Sequence, residues 1–422
     1  MKELRYDAVV IGAGAAGMAA ALEIEAAGFS CAVVEREDQL GGILMQCIHN
    51  GFGLHEFKEE LTGPEFAERF AKRLVDSKVD IYLGTTLTAM HASAKTEETE
   101  AYKELFCASP DFGVLRILCR AVVLAMGCRE RNRGNVRIPG SRPAGVYTAG
   151  LAQRLVNIEG YIPGKDIVVI GSGDIGLIMA RRMSWIGCKV KAVIEIMPYP
   201  SGLTRNIVQC LHDFDIPLHL SCQTTNIFGK DRVEGIEVTP MENGALVREK
   251  AFRIDCDTVL LSVGLVPENE LSKEAGVELN ASTNGPLVDA DLMTNVEGVF
   301  ACGNVLHVHD LVDWVAEEAR FAGQQAALWL GGKRTANQIR VKAGSNVRYA
   351  NPGKVALERN NKVYLRSLVV KNDAVLEVRL DTRVIKSLKK GHVQPSEMIT
   401  LALGPKDLEG AAQDSVLELS II

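Results

Sequence analysis

A chain of 422 residues, of which 47% are hydrophobic and 24% charged, is long enough for two or three globular domains with separate cores. Its net charge of −6 argues against nucleic acid or an anionic membrane as the main partner. No segment comes near the roughly 18 to 20 consecutive apolar residues of a membrane-spanning helix.

The cysteines are scattered along the chain. No two of the ten are three residues apart, which argues against zinc, an iron–sulfur cluster or a thioredoxin-type redox pair. Scattered thiols are typical of a reduced protein of the cytosol, and we therefore expect a cytoplasmic location. The apolar beginning of the chain is interrupted by Glu23 and Glu25, so we expect it to fold and not to be a signal peptide.

The first predicted elements are a strand at 6–11, a glycine-rich turn and a helix with an apolar period of 3.6. The turn contains Gly12, Gly14, Ala15, Ala16 and Gly17. In a Gly-x-Gly-x-x-Gly turn, Gly12 permits the tight bend, Gly14 admits a pyrophosphate and Gly17 lets the helix pack on the strand. The helix start offers free N–H groups to the phosphates. This unit predicts a dinucleotide site.

A second strand closes the unit at Glu35, 18 residues beyond Gly17. A carboxylate at this place can bind both hydroxyls of a ribose. Arg36 follows directly, and Gly41 and Gly42 come next along the chain. We include all four residues in the predicted site.

The same unit occurs a second time at residues 168–195. Its turn contains Gly171, Gly173, Asp174, Ile175 and Gly176. Its second strand closes at Glu195, 19 residues beyond Gly176. Glycine-rich turns also occur in α/β proteins that bind no nucleotide, but the duplication together with the distal acid favours two dinucleotide sites.

Further strands are predicted at 121–127 and 259–264. They contribute Ala125, Gly127 and Gly264 to the predicted sites. The segment 300–304, which ends in Gly303 and Asn304, leads into an alanine-rich helix at about 312–330.

This order of motifs closely resembles the FAD-dependent pyridine-nucleotide oxidoreductase superfamily, which includes thioredoxin and glutathione reductases. The resemblance implies an α/β fold in which a Rossmann-like NAD domain is inserted into a split, Rossmann-like FAD domain. It implies that FAD binds to the first turn, to Glu35 and to the segments around Ala125 and Gly303, and that NAD(H) binds to the second turn, Glu195 and Gly264. The superfamily has Asp where this chain has Asn304; an amide still accepts a hydrogen bond but carries no charge.

Residues 41–53, 138–157, 171–182 and 301–313 resemble one subgroup, the flavoprotein subunits of multicomponent dehydrogenases such as opine oxidase, hydrogen cyanide synthase and heteromeric proline dehydrogenase. Short relatives encoded beside glycerol-3-phosphate-dehydrogenase-like proteins match better. The opine oxidase type has a cysteine-rich iron–sulfur tail, whereas this chain has no cysteine after Cys302. The resemblance implies an oligomer and a partner dehydrogenase flavoprotein subunit.

Three domains are predicted. They are an FAD domain at 1–150 and 285–332, an NAD domain at 151–284, and a β-rich C-terminal domain at 333–422. The last of these carries 16 Lys and Arg against 9 Asp and Glu, a net charge of +7, so the preceding 332 residues carry −13. Such a step in charge is typical of a domain boundary. In the tail, Leu376, Val378 and Leu380 alternate with charged residues, which predicts strands.

Glu195 also predicts which nicotinamide nucleotide binds. A carboxylate accepts from a free 2′-hydroxyl and repels a 2′-phosphate, and no Lys or Arg lies between residues 194 and 203. We therefore expect NAD(H), against the alternatives of a non-redox nucleotide or of no ligand.

Cys47 lies five residues after Gly42, on the segment that carries the redox cysteines in disulfide reductases. It is the one catalytic candidate, because a lone thiol near the flavin could form a sulfenate or a charge-transfer contact. Filling space as a small apolar residue is the commoner role of such a cysteine.

The segment His307, His309, Asp310 and Asp313 has residue types that bind metals. Because it precedes the helix at 312–330, a role in flavin electrostatics or in capping of that helix by an aspartate is the preferred interpretation. We therefore predict no metal.

Together these features predict an FAD-dependent NAD(H) oxidoreductase, the electron-transfer subunit of a dehydrogenase for an amino acid, an opine or glycerol 3-phosphate. The flavin and the nicotinamide carry the chemistry, so no acid or base is required. The alternatives are a self-sufficient disulfide or peroxide reductase and a scaffold subunit that binds nucleotides without catalysis.

Overall fold

The structure is a computed structural model that describes residues 1–92 and 102–422. The chain forms two compact units, one of Met1–Cys128 with Pro267–Ile422 and the other of Arg129–Val266. Both contain a Rossmann-like parallel sheet, and the C-terminal part is rich in strands, so the predicted α/β fold class is confirmed. None of the described helices is both long and apolar enough to cross a membrane.

The N-terminal part of the first unit is an α/β layer structure. Its elements are β1 (Lys2–Ile11), α1 (Ala15–Ala26), β2 (Cys31–Val34), β3 (Asn50–Phe52), β4 (Leu61–Thr62), α2 (Gly63–Val75), β5 (Asp80–Tyr82), β6 (Thr86–Ala92), β7 (Lys103–Ser109) and β8 (Gly113–Leu124). The strand order β5-β2-β1-β8-β7-β6 is parallel from β5 to β8 and antiparallel beyond it. Every residue of β2 is buried, as expected for a strand covered on both faces.

The inserted unit contains a second, fully parallel sheet. Its elements are β9 (Cys128–Glu130), α3 (Arg133–Val136), β10 (Val146–Thr148), α4 (Ala149–Asn157), β11 (Asp166–Ile170), α5 (Asp174–Trp185), β12 (Lys189–Ile194), α6 (Thr204–Cys210), β13 (Leu218–His219), β14 (Cys222–Gly229), β15 (Val233–Glu242), β16 (Ala245–Leu246), β17 (Phe252–Ile254), β18 (Thr258–Leu261) and β19 (Leu265–Pro267). The parallel sheet has the order β10-β18-β11-β12-β13. Ile167 and Val169 of β11 face one core while Val168 and Ile170 face another, which explains the continuous apolar run.

The chain then returns to the first unit. The elements are α7 (Glu270–Glu274), β20 (Val299–Ala301), α8 (Val312–Leu330), β21 (Gln338–Ala343), β22 (Val347–Asn351), β23 (Lys354–Ala356), β24 (Asn361–Ser367), β25 (Lys371–Leu380), β26 (Arg383–Val393), β27 (Met398–Leu403) and β28 (Val416–Ile421). Strand β20 joins the first sheet beside β8. Strands β21 to β28 form a five-stranded and a three-stranded sheet around a core of their own.

The limits of the inserted unit, 129–266, differ from those predicted for the NAD domain, 151–284. At its beginning, β10 pairs with β18 and so belongs to the second sheet. At its end, Leu271 and Ala275 pack against the core of the first unit. Local sequence patterns mark strands and helices, but such long-range packing decides the domain to which a connecting segment belongs.

Candidate functional site

The first glycine turn joins β1 to α1. Gly12 has a φ of +100°, and a Cβ there would lie 2.6 Å from the carbonyl oxygen of Ala125. A Cβ on Gly17 would lie 1.7 Å from the carbonyl oxygen of Gly12, so the helix can pack on the turn only because Gly17 is glycine. Among the described residues, a Cβ on Gly14 would meet nothing within 4 Å. The start of α1 therefore has space for a phosphate.

Glu35 lies at the end of β2, next to this turn. Its buried carboxylate accepts the N–H of Ala13 at 2.6 Å on one oxygen and the N–H of Glu37 at 2.9 Å on the other. Each carboxylate oxygen has two lone pairs, so each retains one for a ribose hydroxyl. The side chain of Arg36, in contrast, is exposed at the surface.

Four more predicted residues lie at the same turn. The N–H of Gly41 donates to the carbonyl oxygen of Ala13 at 2.9 Å, and a Cβ on Gly42 would lie 3.2 Å from Cα of Gly14. Ala15 and Ala16 form the buried start of α1. The turn is thus packed by small residues that keep the end of the helix open.

The segments around Ala125 and Gly303 reach this turn because β8 and β20 are parallel neighbours. Gly303 has a φ of +71°, and a Cβ there would lie 2.9 Å from Cβ of Ala16. Asn304 follows, and its Oδ1 accepts the N–H of His309 at 3.0 Å. Gly127, with a φ of +72°, lies two residues beyond Ala125. The predicted FAD residues other than Arg36 therefore gather at the carboxyl end of the first sheet.

The second glycine turn, between β11 and α5, repeats the backbone geometry of the first. Gly171 has a φ of +91°, and a Cβ there would lie 2.1 Å from the carbonyl oxygen of Ser262. A Cβ on Gly176 would lie 2.6 Å from Cβ of Ser262. A Cβ on Gly173 would lie 3.2 Å from the Ser262 hydroxyl, whereas a Cβ on Gly14 of the first turn would meet no described atom within 4 Å.

Glu195 lies at the end of β12 and is bonded more heavily than Glu35. Its Oε2 atom accepts the N–H of Ser172 at 3.0 Å, the hydroxyl of Ser172 at 2.5 Å and the hydroxyl of Ser201 at 3.0 Å. Its Oε1 atom accepts the N–H of Met197 at 2.8 Å. The lone pairs of Oε2 are therefore used, and Oε1 alone can accept another hydrogen bond without a rearrangement.

Both glycine turns lie in a part of the chain that matches a known protein family. A family described as pyridine nucleotide-disulphide oxidoreductase matches residues 6–326, about three quarters of the chain. The chain belongs to this family. The members of this family are FAD-dependent oxidoreductases that bind NAD(P)H.

Individual relatives agree with this membership. An opine oxidase subunit of Agrobacterium tumefaciens (strain Ach5) is 26% identical over 341 residues, which cover 76% of this chain and 65% of the relative. The glutamate synthase (NADPH) small chain of Mycobacterium tuberculosis is 30% identical over 362 residues, which cover 76% of this chain and 66% of the relative. Thioredoxin reductase of T. acidophilum has the same fold, with a TM-score of 0.61 and 24% identity over 76% of this chain and 98% of that structure. The chain spans slightly less than two thirds of these two curated relatives.

The first turn fits the FAD that this family binds. The cradle at Gly14 has room for a pyrophosphate, and no acidic residue lies in the first turn of α1. The two oxygens of Glu35 can accept the ribose hydroxyls. FAD would therefore be held at its adenosine half by the first turn and Glu35.

In disulfide reductases of this family a cysteine pair lies after the first turn, and here Cys47 is at that place. Its thiol donates to the carbonyl oxygen of Ile43 at 3.3 Å, and burial raises its pKa to about 12. A thiol with this pKa stays protonated near neutral pH and is a poor nucleophile. The surroundings of Cys47 thus favour a packing role over a redox role.

The other predicted residues of the second site differ in their contacts; they are Asp174, Ile175 and Gly264. The carboxylate of Asp174 accepts the N–H of Leu203 at 2.8 Å and Nδ2 of Asn206 at 2.6 Å. Ile175 packs against the core beside the second sheet. The carbonyl oxygen of Gly264 accepts the N–H of Arg131 at 2.9 Å.

The proposed capping of the helix α8 by an aspartate is wrong. The helix begins after Leu311 without a side-chain cap. Asp313 instead accepts the N–H groups of Gly53, His55 and Glu56 at 2.8 to 3.2 Å. It therefore anchors the segment after Cys47, a contact between residues about 260 positions apart that local patterns do not reveal.

Asp310 is likewise engaged elsewhere. Its carboxylate pairs with Arg366 of β24 and accepts the N–H of Met398 at 2.6 Å. His307 and His309 instead face Glu318, a residue of α8 that the sequence did not single out. Its position in the middle of an alanine-rich helix, next to Glu317, gave no signal.

Proposed function

We propose that this oxidoreductase transfers hydride between NAD(H) and FAD and exchanges electrons with a separate dehydrogenase subunit. The observation that supports NADH is the buried carboxylate of Glu195 at the second turn. NADPH carries a 2′-phosphate where NADH has a 2′-hydroxyl, and this phosphate would bring a second anion against the Glu195 carboxylate. No Lys or Arg lies between residues 194 and 203 to compensate the repulsion.

The chain contributes binding and positioning. The first turn and Glu35 hold the adenosine half of FAD, and the segment of Gly303 and Asn304 lies against the start of α1. The second turn and Glu195 hold the nucleotide. FAD supplies the hydride chemistry, so the described side chains need only orient the two rings and exclude water.

A separate partner is proposed from two observations. The relatives include an opine oxidase subunit and a glutamate synthase small chain, which are by name parts of larger enzymes. In addition, residues 333–422 carry a net charge of +7, which suits the docking of an acidic protein surface. The partner would oxidise an amino acid, an opine or glycerol 3-phosphate.

A self-sufficient disulfide or peroxide reductase is a weaker candidate. Such an enzyme needs a thiolate or a cysteine pair, whereas the Cys47 thiol has a pKa of about 12 and no cysteine follows it before Cys107. A scaffold that holds nucleotides without catalysis differs from the proposal in one measurable property, the reduction of the flavin.

The test is an anaerobic titration of the purified protein, first with NADH and then with NADPH, followed by the flavin absorbance near 450 nm. Bleaching by NADH, faster than by NADPH at equal concentration, is the expected result. A yellow protein that neither nucleotide bleaches would support the scaffold, and equal rates would contradict the assignment of Glu195. Oxidation of glycerol 3-phosphate or an amino acid by the chain alone would contradict the separate partner.

A further inference from the structure

A buried carboxylate lies beside the turn of Gly303. The side chain of Glu318 is only 2% exposed. Three N–H groups point at it, from the backbone of Gly303 at 2.7 Å, from Nε2 of His307 at 2.8 Å and from Nε2 of His309 at 3.1 Å. We call this group the Glu318 cluster; its members are Glu318, His307 and His309.

Burying an ionised carboxylate is unfavourable unless donors and positive charge replace the lost water. Burial raises the pKa of Glu318, but the charge of His309 and the hydrogen bonds from both imidazoles outweigh it and hold the pKa below its usual value. Burial lowers the pKa of His307, with a further lowering by His309, so His307 is a neutral imidazole that donates through Nε2. Its Nδ1 atom, which has no partner among the described residues, is then a bare acceptor.

The Glu318 cluster holds both residues of the Gly303–Asn304 turn. Oε2 of Glu318 accepts the N–H of Gly303 at 2.7 Å. The backbone N–H of His309 donates to Oδ1 of Asn304, and Nδ2 of Asn304 lies 3.7 Å from the sulfur of Cys128. The amide of Asn304 thus uses one acceptor and one donor, and an aspartate there would lack the donor.

Strands of the C-terminal part close the cluster from the other side. The rings of Tyr349 and Tyr364 lie 5.9 and 5.2 Å from the ring of His307, measured between centroids. Arg366 pairs with Asp310, the residue after His309. The cluster is therefore sealed from solvent, and its hydrogen bonds act in a medium of low dielectric constant.

The three residues of the cluster are also types that zinc binds, and their ligand atoms lie within 4.8 Å of one another. Each imidazole nitrogen, however, faces a different carboxylate oxygen at hydrogen-bond distance. A zinc ion at about 2.0 to 2.2 Å from each ligand would have to replace both of these hydrogen bonds. The geometry is that of a hydrogen-bonded cluster, and a metal is one outcome of the test.

We propose that Glu318 is a positioning residue for FAD. Glu318 holds the Gly303–Asn304 turn in place through the backbone N–H of Gly303. It also supplies, from α8, the negative charge that family members carry at position 304. The inference rests on the proposed FAD site. It is consistent with Asn304 in place of the usual aspartate, because an aspartate there would lose the contact to Cys128.

The test compares Glu318→Gln with Glu317→Gln, a neighbour on the same helix whose carboxylate pairs with Lys362 at 2.6 Å. The FAD dissociation constant of the flavin-depleted protein is measured by fluorescence, and folding is followed by circular dichroism. Glu318→Gln is expected to weaken FAD binding by about tenfold or more, because a charged hydrogen bond to the turn is lost. Glu317→Gln is expected to change it by less than about twofold, as for an exposed ion pair.

A rescue variant separates positioning from simple loss of stability. Asn304→Asp is expected to weaken FAD binding in the wild type but to restore it, at least in part, in Glu318→Gln, because the charge then returns to the place usual in the family. Unchanged FAD binding in a folded Glu318→Gln protein, or the absence of rescue, would overturn the proposal, as would stoichiometric zinc found by mass spectrometry. A wild-type protein that binds no FAD would instead contradict the FAD site itself.

Discussion

The two glycine turns have nearly the same backbone but differ in what surrounds it. At the first turn, a Cβ on Gly14 meets nothing among the described residues, and Glu35 accepts only two backbone N–H groups. At the second turn, the hydroxyl of Ser262 lies next to Gly173, and Glu195 accepts two hydroxyls in addition to two N–H groups.

This difference suggests two modes of binding. An open turn with unsatisfied acceptors suits a cofactor that stays bound, because the bound state gains hydrogen bonds and loses none. A turn whose carboxylate already has protein donors suits a nucleotide that binds and leaves, because only Oε1 of Glu195 is open and a second ribose hydroxyl would have to displace a protein donor from Oε2. Asp174, at the N-terminus of α5, adds a negative charge near the place where a pyrophosphate would bind.

The largest expected effect concerns the third glycine of each turn. Gly17→Ala should destabilise the protein by about 3 kcal/mol or more and abolish FAD binding, because the new Cβ would lie on a backbone oxygen that cannot move away. Gly176→Ala should cost less, about 1 to 3 kcal/mol, because its nearest obstacles, Cβ of Ser262 at 2.6 Å and the carbonyl oxygen of Gly171 at 2.9 Å, are farther away than the 1.7 Å at Gly17. Denaturant unfolding and the flavin content of the purified proteins measure both effects.

Gly14→Ala is the matched control for this prediction. Its Cβ meets no described atom within 4 Å and its φ is −73°, so stability should fall by about 1 kcal/mol or less. FAD affinity should nevertheless fall by about tenfold, because the methyl group occupies the approach of the pyrophosphate. If Gly14→Ala and Gly17→Ala lose stability equally, the distinction between a ligand glycine and a packing glycine is wrong.

Next in size is the effect of the distal acids. Glu195→Ala should weaken NADH binding by about 1 to 3 kcal/mol, the scale of an unpaired buried hydrogen-bonding group, and leave the FAD content unchanged. Glu35→Ala should do the reverse. Isothermal titration with NADH and the absorbance ratio at 450 and 280 nm measure the two effects, with the exposed Glu249→Ala as control. Loss of FAD in Glu195→Ala would contradict the assignment of one nucleotide to each turn.

Sequence reasoning succeeded where the fold depends on local backbone geometry. Gly12 and Gly171 lie at positive φ, and Gly17 and Gly176 lie at close contacts. These demands are visible as a spacing in the sequence. It failed for contacts between distant segments. Asp313 anchors residues 53–56, Glu318 faces His307 and His309, and Ser201 reaches Glu195 only because of how the loops fold. Such polar contacts depend on tertiary packing and leave no periodic signal.

The two units should also respond differently to acid. The pKa of His307 lies below its ordinary value of 6.5 because of burial, and the pKa of Glu318 lies below 4.5 because the charge of His309 and the hydrogen bonds from both imidazoles outweigh burial. The unfolded chain therefore takes up protons that the native chain does not, and stability falls as the pH falls below 6.5 and again below 4.5. The histidines of the inserted unit, His212 and His219, are not buried.

Melting temperatures at about pH 7 and about pH 5 check this sign. The decrease should be smaller in His307→Gln than in the wild type, whereas the exposed His392→Gln should behave as the wild type. His309, Arg366, Tyr349 and Tyr364 face the same histidine, so its removal also changes their surroundings, and the slope with pH is the decisive quantity. An unchanged slope in His307→Gln would contradict a neutral, buried His307.

The smallest expected effect concerns Ser201, whose hydroxyl donates to Oε2 of Glu195 at 3.0 Å. In Ser201→Ala this hydroxyl is gone, but the N–H of residue 201 still donates to the Ser172 hydroxyl at 2.8 Å, so the loop should keep its place. The N–H and the hydroxyl of Ser172 still occupy both lone pairs of Oε2, so no acceptor is released for a ribose hydroxyl, and the NADH affinity should change by less than about 0.5 kcal/mol. Ser184→Ala on α5, whose hydroxyl donates to the carbonyl oxygen of Ala180, is the control. Weaker NADH binding in Ser201→Ala would mean that the Ser201 hydroxyl itself contacts the nucleotide, and the second turn would then be a prepared site like the first.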